Sequence, residues 1–342
     1  MLSDLARLCG TTHIRCGMAN SNASIAWRLF HLNWIPIAAM GSVLLLGVAF
    51  WGFSFEPVAL IVPTAIAAAL ALTVYLYAFA KGDQADPKLI FSLGAISQLF
   101  LVCIIMGPLT YVSGVANWPL QDHTLLAIDR AMGMDPEMIA RFVNEHDWLG
   151  GLLLRAYGLI KIMLLAVPIA LTLTMRLVRL QVFVFAFSVA LIITVAISTF
   201  VPAIGTYYGL SIAPSQFTSL DSSLYTAQLR DILALREGSL RHLEMFKLTG
   251  IVSFPSFHAA SAVLYLWALW PVRYLGGIAA ALNLLMIAAT PVIGAHYMID
   301  VFGGVALAAI SILLGKYFLE AVAPSATART ARPAPALVPA LD

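Results

Sequence analysis

The chain has 342 residues, of which 61% are hydrophobic and only 11% are charged, and its mean hydropathy is +0.92. Soluble domains carry about 25% charged residues, so this composition excludes an ordinary soluble domain and indicates an integral membrane protein. The net charge of +2 is too small to indicate nucleic acid as a partner. The three cysteines, Cys9, Cys16 and Cys103, show no metal-ligand spacing, and we expect no disulfide framework.

Membrane spans account for most of the chain. Residues 1–32 are polar and mixed, without the apolar core and cleavage site of a signal peptide, so we expect a short helix at the cytoplasmic surface. A span needs about 20 largely apolar residues. Eight stretches meet this requirement, at about 33–53, 57–80, 89–112, 151–175, 179–202, 254–272, 275–295 and 297–319. We therefore predict an all-α polytopic membrane bundle of about eight helices. Seven is the alternative, because Pro63 interrupts the second stretch.

Two long segments between the spans, 113–150 and 203–253, are amphipathic. Helical spacing of their apolar residues predicts two short helices on the membrane surface in the first segment and another in the second. The residues that define these faces are Leu125, Ile128, Met132, Met138 and Phe142, and then Leu240, Leu243 and Phe246. The tail 321–342 is rich in Ala and Pro, and we predict that it is disordered.

The basic residues are unequally shared between the two sides of the membrane. With eight spans, both termini and the short connections near 81–88, 176–179 and 273 lie on one side, which holds eleven basic residues against six on the other. Positive charge favours the cytoplasmic side. We therefore predict cytoplasmic termini, with 113–150 and 203–253 facing a periplasm or a lumen.

Two of the outer-facing helix starts carry ionisable residues, which are costly inside a membrane and usually functional. Asp300 follows His296 by four residues, so the two side chains share one face of a helix. The carboxylate can accept the ring N–H, fix the tautomer and leave the other nitrogen nucleophilic. The alternative is a structural pair, in which the two side chains only hydrogen-bond to each other. For this pair alone, that alternative is the better interpretation. No third ligand accompanies the pair, so we predict no metal and no cofactor.

The second helix start reads FPSFH over residues 254–258. Pro255 suits the first turn of a helix, where its missing N–H costs nothing. The amides of that turn, at Ser256 and Phe257, predict an anion cradle together with the Ser256 hydroxyl. His258 in the same turn can donate a proton to the bound anion. Ordinary helix capping is the alternative, but the two helix starts together supply a cradle, an acid and an oriented nucleophile.

At these residues the sequence resembles the type 2 phosphatidic acid phosphatase superfamily, which also includes vanadium haloperoxidases. The Pro-Ser-Gly-His signature of that family corresponds to PSFH at residues 255–258. The His and Asp of its third signature correspond to His296 and Asp300. The resemblance implies a six-helix phosphatidic acid phosphatase-like catalytic core over 89–320, with 33–88 as two additional helices.

The sequence also departs from the family pattern. Ala289 and Thr290 stand where the third signature has Ser-Arg, and STFVPAIGTYYGL, near the end of the fifth span, lacks the Lys and Arg of the first signature. The stretches SFPSFHAA and HYMIDVFGG resemble instead the branch that contains inositol phosphorylceramide synthases of the aureobasidin-resistance type. The loop sequence PLQDHTLLAIDRAMGMD resembles an outer loop of that branch.

The resemblance implies a phosphohistidine mechanism on a membrane lipid. His296 would attack phosphorus, Asp300 would orient it, and His258 would protonate the leaving oxygen and then activate the acceptor. Water as the acceptor makes a lipid phosphatase, and an alcohol such as inositol makes a head-group transferase. A transporter or scaffold without chemistry is a third hypothesis. Its polar groups would be expected near the membrane midplane rather than at one edge.

Other residues must offset the phosphate charge if the family Lys and Arg are absent. Arg241 and Lys247 precede the PSFH helix and are candidates, although both could be solvated loop charges. Tyr207 and Tyr208 could donate hydrogen bonds to the phosphate, or could belong to an aromatic belt at the interface. Lys161 lies inside the fourth span, where a functional role and a structural pairing are equally good interpretations.

Overall fold

The computed structural model describes residues 21–322, which are 79% helical with almost no strand. The first twenty residues, with Cys9 and Cys16, and the tail from 323 onward lie outside the described residues. The elements in chain order are α1 (Ser21–Leu32), α2 (Trp34–Trp51), β1 (Ser54–Phe55), α3 (Pro57–Lys81), α4 (Pro87–Gly114), α5 (Asp122–Ala131), α6 (Pro136–Asn144), α7 (Asp147–Tyr157), α8 (Leu159–Leu173), α9 (Leu177–Phe200), α10 (Thr206–Leu210), α11 (Ser223–Glu237), β2 (His242–Leu243), α12 (Phe257–Leu269), α13 (Leu275–Ile293) and α14 (Met298–Val322). The predicted all-α polytopic class is confirmed.

Six helical stretches of the described chain are long and apolar enough to cross a membrane. The pair α7 and α8, bent by 42° at Gly158, makes a seventh span if it is counted as one. The remaining predicted span, 254–272, contains α12, which has only 13 residues. The first span begins at Asn22 rather than near 33. Its early start follows from Ala23, Ala26 and Phe30, which repeat at helical spacing and are buried.

Arginines at the start of α9 bind the C-terminal end of the short helix α12. Thirteen residues extend only about 20 Å, less than the roughly 30 Å hydrocarbon core. Arg179 Nε donates to the Ala268 carbonyl at 3.0 Å, and an Arg176 Nη donates to the Pro271 carbonyl at 2.6 Å. The Arg179 guanidinium also lies over the Trp267 ring at 4.1 Å. These contacts satisfy carbonyls that the end of a helix leaves without intrahelical partners.

The two amphipathic segments, 113–150 and 203–253, agree only partly with the predicted pattern. Helices α5 and α6 occupy the two predicted positions in 113–150. In 203–253, the predicted helical face on Leu240, Leu243 and Phe246 is wrong, because α11 ends at Glu237. Gly238 terminates it in a left-handed conformation, with φ of 82°. The chain then forms β2, whose parallel pairing with β1 ties this loop to the two additional helices.

Candidate active site

Asp300 is the centre of a buried hydrogen-bond network at the start of α14. Its side chain is fully buried, and its Oδ2 accepts from Ser253 Oγ at 2.7 Å and from the Tyr297 amide at 3.1 Å. His296 Nδ1 lies 3.1 Å from the same oxygen. An ionised carboxylate only accepts hydrogen bonds, so this contact places the proton on Nδ1 and leaves Nε2 as the free nitrogen.

The helical spacing assumed for this pair is wrong in detail, because α14 begins at Met298 and His296 lies in the turn before it. The turn is made possible by Ala295, which has a φ of 51°. This left-handed conformation is uncommon for a residue with a side chain and is held by its surroundings. Thr206, at the start of α10, donates its amide to the Ala295 carbonyl at 2.9 Å. The stretch STFVPAIGTYYGL, which contains Thr206 and lacks the Lys and Arg of the first signature, therefore supports the turn that carries His296.

The PSFH helix start packs directly on the start of α14. The Ser256 amide donates to the Asp300 carbonyl at 2.9 Å, and glycine at position 304 permits the approach of the Ser256 backbone. Ser256 is the N-cap of α12 and its hydroxyl accepts from the Ala259 amide. Pro255 therefore precedes the cap instead of lying in the first turn. The Ser256 amide is already used, whereas among the described residues the amides of Phe257 and His258 have no hydrogen-bond acceptor.

Tyr157 lies beside both histidines, and no sequence motif indicates that it belongs to the site. Its ring stacks on the His258 ring, with centroids 3.8 Å apart and an interplanar angle of 12°. A Cβ added at Gly294 would lie 2.7 Å from the Tyr157 hydroxyl oxygen and 2.6 Å from His296 Cδ2. Both groups therefore surround the same glycine, and Tyr157 links the region of His258 to that of His296. Tyr157 reaches this position because α7 ends there and the chain bends at Gly158.

Helix α5 lies over this site and is attached by two buried carboxylates. Asp129 accepts from the amides of Met298 at 2.6 Å and Ile299 at 2.9 Å, so it caps α14 from outside. Asp122 accepts from the Gly205 amide at 2.8 Å and from the Tyr297 hydroxyl at 2.9 Å. Burial raises the pKa of both carboxyls, and these hydrogen bonds oppose the rise. The loop sequence PLQDHTLLAIDRAMGMD thus includes two structural attachments to the turn around His296.

The predicted phosphate-binding cations make their contacts elsewhere. Arg241 donates to the carbonyls of Leu235 and Leu240 and lies 5.2 Å from the Phe53 ring centroid. Lys247 pairs with Glu244 at 2.8 Å and its side chain is 72% exposed. These contacts do not join either cation to the histidines, and their role in phosphate binding stays a prediction.

The two tyrosines of α10 lie beside the supporting turn. Tyr207 is buried against the rings of Phe217 and Tyr225, and burial raises its pKa to about 12, so it stays protonated at physiological pH. Tyr208 is 42% exposed. Their neighbour Thr206 bonds to Ala295, which brings this segment close to His296.

Lys161 lies in the first turn of α8, four residues after Tyr157, and its side chain is exposed. Within residues 21–322, no group of three or more His, Cys, Asp or Glu side chains is arranged to hold a metal ion.

The fold and this arrangement define a polytopic membrane protein with two histidines and a carboxylate at adjoining helix starts. The family model described as the PAP2 superfamily matches residues 123–314, which is more than half of the chain. The chain therefore belongs to the PAP2 superfamily, and its membership is consistent with a lipid phosphatase or phosphotransferase. No curated protein and no solved structure matches the chain in the other comparisons.

Proposed function

We propose that the protein is an integral membrane enzyme that transfers the phosphoryl group of a lipid phosphate or phosphodiester through a phosphohistidine on His296. The observation that carries this proposal is the 3.1 Å contact between His296 Nδ1 and Asp300 Oδ2. It holds Nε2 free, and the neighbouring ring carbon Cδ2 faces the space between Gly294 and the Tyr157 hydroxyl. The adjoining starts of α12 and α14 carry His258, His296 and Asp300, which supports the roles of acid–base group, nucleophile and orienting carboxylate for them.

In the first step, Nε2 forms a bond to phosphorus while the bond from phosphorus to the leaving oxygen breaks. His258 gives its proton to that oxygen, and Asp300 stabilises the positive charge that develops on the His296 ring. In the second step, neutral His258 removes a proton from the acceptor, whose oxygen attacks phosphorus and releases Nε2. Acid–base assistance of this kind contributes about 10²–10⁴-fold in rate.

The position of the histidines in the membrane indicates the class of substrate and the side of the membrane on which it would react. Arg176 and Arg179 close the end of α12 opposite His258. Taking this basic end as cytoplasmic places both termini in the cytoplasm and the histidines toward the periplasmic or lumenal side. The 13 residues of α12 extend about 20 Å from that end, so His258 lies below the outer boundary of a roughly 30 Å hydrocarbon core. A lipid can present its phosphate at this depth while its chains remain in the bilayer.

A head-group transferase of the inositol phosphorylceramide synthase type is the second candidate, and the charge of the site favours it. A phosphodiester carries one negative charge, whereas a phosphomonoester carries about 1.5 to 2 at neutral pH. Ala289 and Thr290 replace the Ser-Arg of the family, and Arg241 and Lys247 make their contacts elsewhere. One nearby cation, Lys161, matches a singly charged diester better than a doubly charged monoester. An alcohol such as inositol would then accept the phosphoryl group.

The test uses purified protein in vesicles with ³²P-labelled phosphatidic acid or a labelled phosphodiester lipid, with and without inositol. Released inorganic phosphate identifies a phosphatase, and a labelled product that forms only with inositol, either inositol phosphate or an inositol lipid, identifies a transferase. His296→Ala should lower either product at least about 10⁴-fold and abolish an acid-labile, base-stable label on the protein. His123→Ala, at an exposed histidine of α5, is the matched control. Turnover of no lipid by the folded wild-type protein would support a transporter or scaffold instead.

A further inference from the structure

An apolar groove of about 230 Å³ lies between the additional helix α3 and the core. Helix α4 forms its floor, and α3 and α8 both pack on α4 and form its walls. The residues that line it are Ile66 and Leu70 of α3, Ile96, Leu99 and Phe100 of α4, and Leu164 and Leu165 of α8. Leu99 is buried at the floor, whereas Ile66 and Leu165 are about half exposed. The groove is therefore open sideways to the lipid and has the apolar lining that an alkyl chain requires.

Helix α8 connects this groove with the histidines. Lys161 precedes Leu164 and Leu165 by three and four residues, so the three side chains share one face of the helix. Tyr157, which stacks on His258, is four residues further toward the site. The Lys161 ammonium group thus lies one helical turn from the apolar lining of the groove, on the side toward Tyr157. A cation directly beside an apolar groove matches a molecule that has a phosphate joined to a long chain.

We propose that this groove holds one alkyl chain of a phosphate-bearing lipid, with Lys161 contacting the phosphate, so that the lipid enters between α3 and α8. This inference rests on the proposed function, since it assigns the substrate path of the same site. It also gives α3 a role, because one wall of the path belongs to a helix outside the six-helix core.

Binding in the groove should orient the lipid rather than increase its affinity for the protein. The bilayer is as apolar as the groove, so moving a chain from one to the other gains little free energy. A chain held along α8 instead places its phosphate beside Lys161 and within reach of His258 and His296. Filling the groove should therefore lower the turnover rate of long-chain lipids. A short-chain analogue does not extend into the groove and should be unaffected.

The first experiment measures occupancy without requiring turnover. Two photoreactive lipids with a diazirine in the chain, a phosphatidic acid and a diacylglycerol, are compared on His296→Ala in vesicles, with mass spectrometry to locate the label. The phosphate-bearing probe should label residues 66–70 and 164–165 several-fold more than the neutral probe. Lys161→Gln in the same background should remove the difference. Equal labelling by both probes would show that ordinary bilayer lipid fills the groove and would overturn the proposal.

The second experiment measures selectivity on the active protein. Leu70→Trp should lower the turnover of a long-chain lipid about tenfold relative to that of a four-carbon analogue, because the misplaced phosphate reacts more slowly. Leu72→Trp, on the lipid-exposed face of the same helix, is the matched control and should leave this ratio unchanged. Equal effects of the two variants would contradict the proposal. Selective labelling without turnover of any lipid would overturn the proposed function alone, and turnover with unselective labelling would overturn this inference alone.

Discussion

Helix α3, near the N-terminus, and helix α9, at the centre of the bundle, bury different kinds of side chain. Only four of the 25 residues of α3 are buried, and three of these are alanines. In α9, at the centre of the core, 14 of 24 residues are buried, and these include Gln181, Ser188 and Thr194. Helix α3 therefore presents mostly lipid-facing apolar residues, whereas the core holds polar groups away from lipid.

This difference has an energetic meaning. A buried polar group in a membrane must find its hydrogen-bond partner within the protein, so its position is fixed by geometry. The polar groups around Asp300 are fixed in this way, and the candidate chemistry depends on them. An apolar lipid-facing residue can change more freely. Substitutions around the histidines should therefore affect activity, whereas those in the additional helices should affect stability or the lipid selected.

The largest effect in this comparison is expected for Gly294→Ala. The new methyl would lie 2.6 Å from His296 Cδ2 and 2.7 Å from the Tyr157 hydroxyl, closer than packed atoms allow. Displacing the nucleophilic ring by about 1 Å should lower kcat by about 10²-fold. Activity of the purified variant in vesicles measures this effect.

Gly277→Ala on the same helix is the control for that substitution. No other atom lies within 4 Å of the Cβ it would add, so we expect unchanged activity. Equal activity of the two variants would mean that Gly294 does not adjoin the reacting groups.

The sequence predicts those contacts of the site that form between residues close together in the chain. The pairing of His296 with Asp300 follows from residues four positions apart, and the contact is present. At Ser256 the contact that is present is helix capping, which the sequence offers only as the alternative to an anion cradle. Tyr157 is about a hundred residues from His258, and its contact depends on a bend at Gly158 that periodicity does not indicate. A tyrosine next to a glycine inside a predicted span is the only signal that could have suggested it.

The error in the loop before α12 has the same origin. Apolar spacing continues past Gly238 and predicts a helix, but the left-handed glycine ends α11. The chain then pairs with a strand almost two hundred residues earlier. Arg241 therefore contacts Phe53. The position of Tyr157 and the conformation of this loop both depend on contacts with residues far away in the sequence. A single sequence does not identify such contacts.

An intermediate effect is expected for Asp129→Asn. Both carboxylate oxygens of Asp129 accept amides at the start of α14, and an asparagine would direct an N–H group at one of these donors. The loosened turn before Met298 should lower kcat about tenfold with little change in KM, because the residue does not contact the substrate. A parallel loss in Gln121→Ala, at the half-buried cap position of α5, would indicate a general disturbance of the helix rather than an effect on His296.

The smallest effect is expected for Asn33→Leu, at the junction of α1 and α2. Asn33 Nδ2 donates to Gln181 Oε1 at 3.0 Å and to the Gln181 carbonyl at 3.1 Å, and both residues are fully buried. Removing one partner leaves the other buried without its bond, at a cost of about 1 kcal/mol, since interhelical hydrogen bonds in membranes contribute about 0.6 to 1.7. The melting temperature in detergent should fall by about 2–4 °C.

The activity per folded molecule of Asn33→Leu should not change, because Asn33 and Gln181 are far from the histidines in sequence and do not contact them. The double variant Asn33→Leu with Gln181→Leu should recover most of the lost stability, since apolar residues replace both partners. Ser42→Leu, at an exposed position of α2 that bonds only within its own helix, should leave the melting temperature unchanged. A loss of turnover in Asn33→Leu at full folding would show that the N-terminal helices act on the chemistry directly, and the division between the two regions would then be wrong.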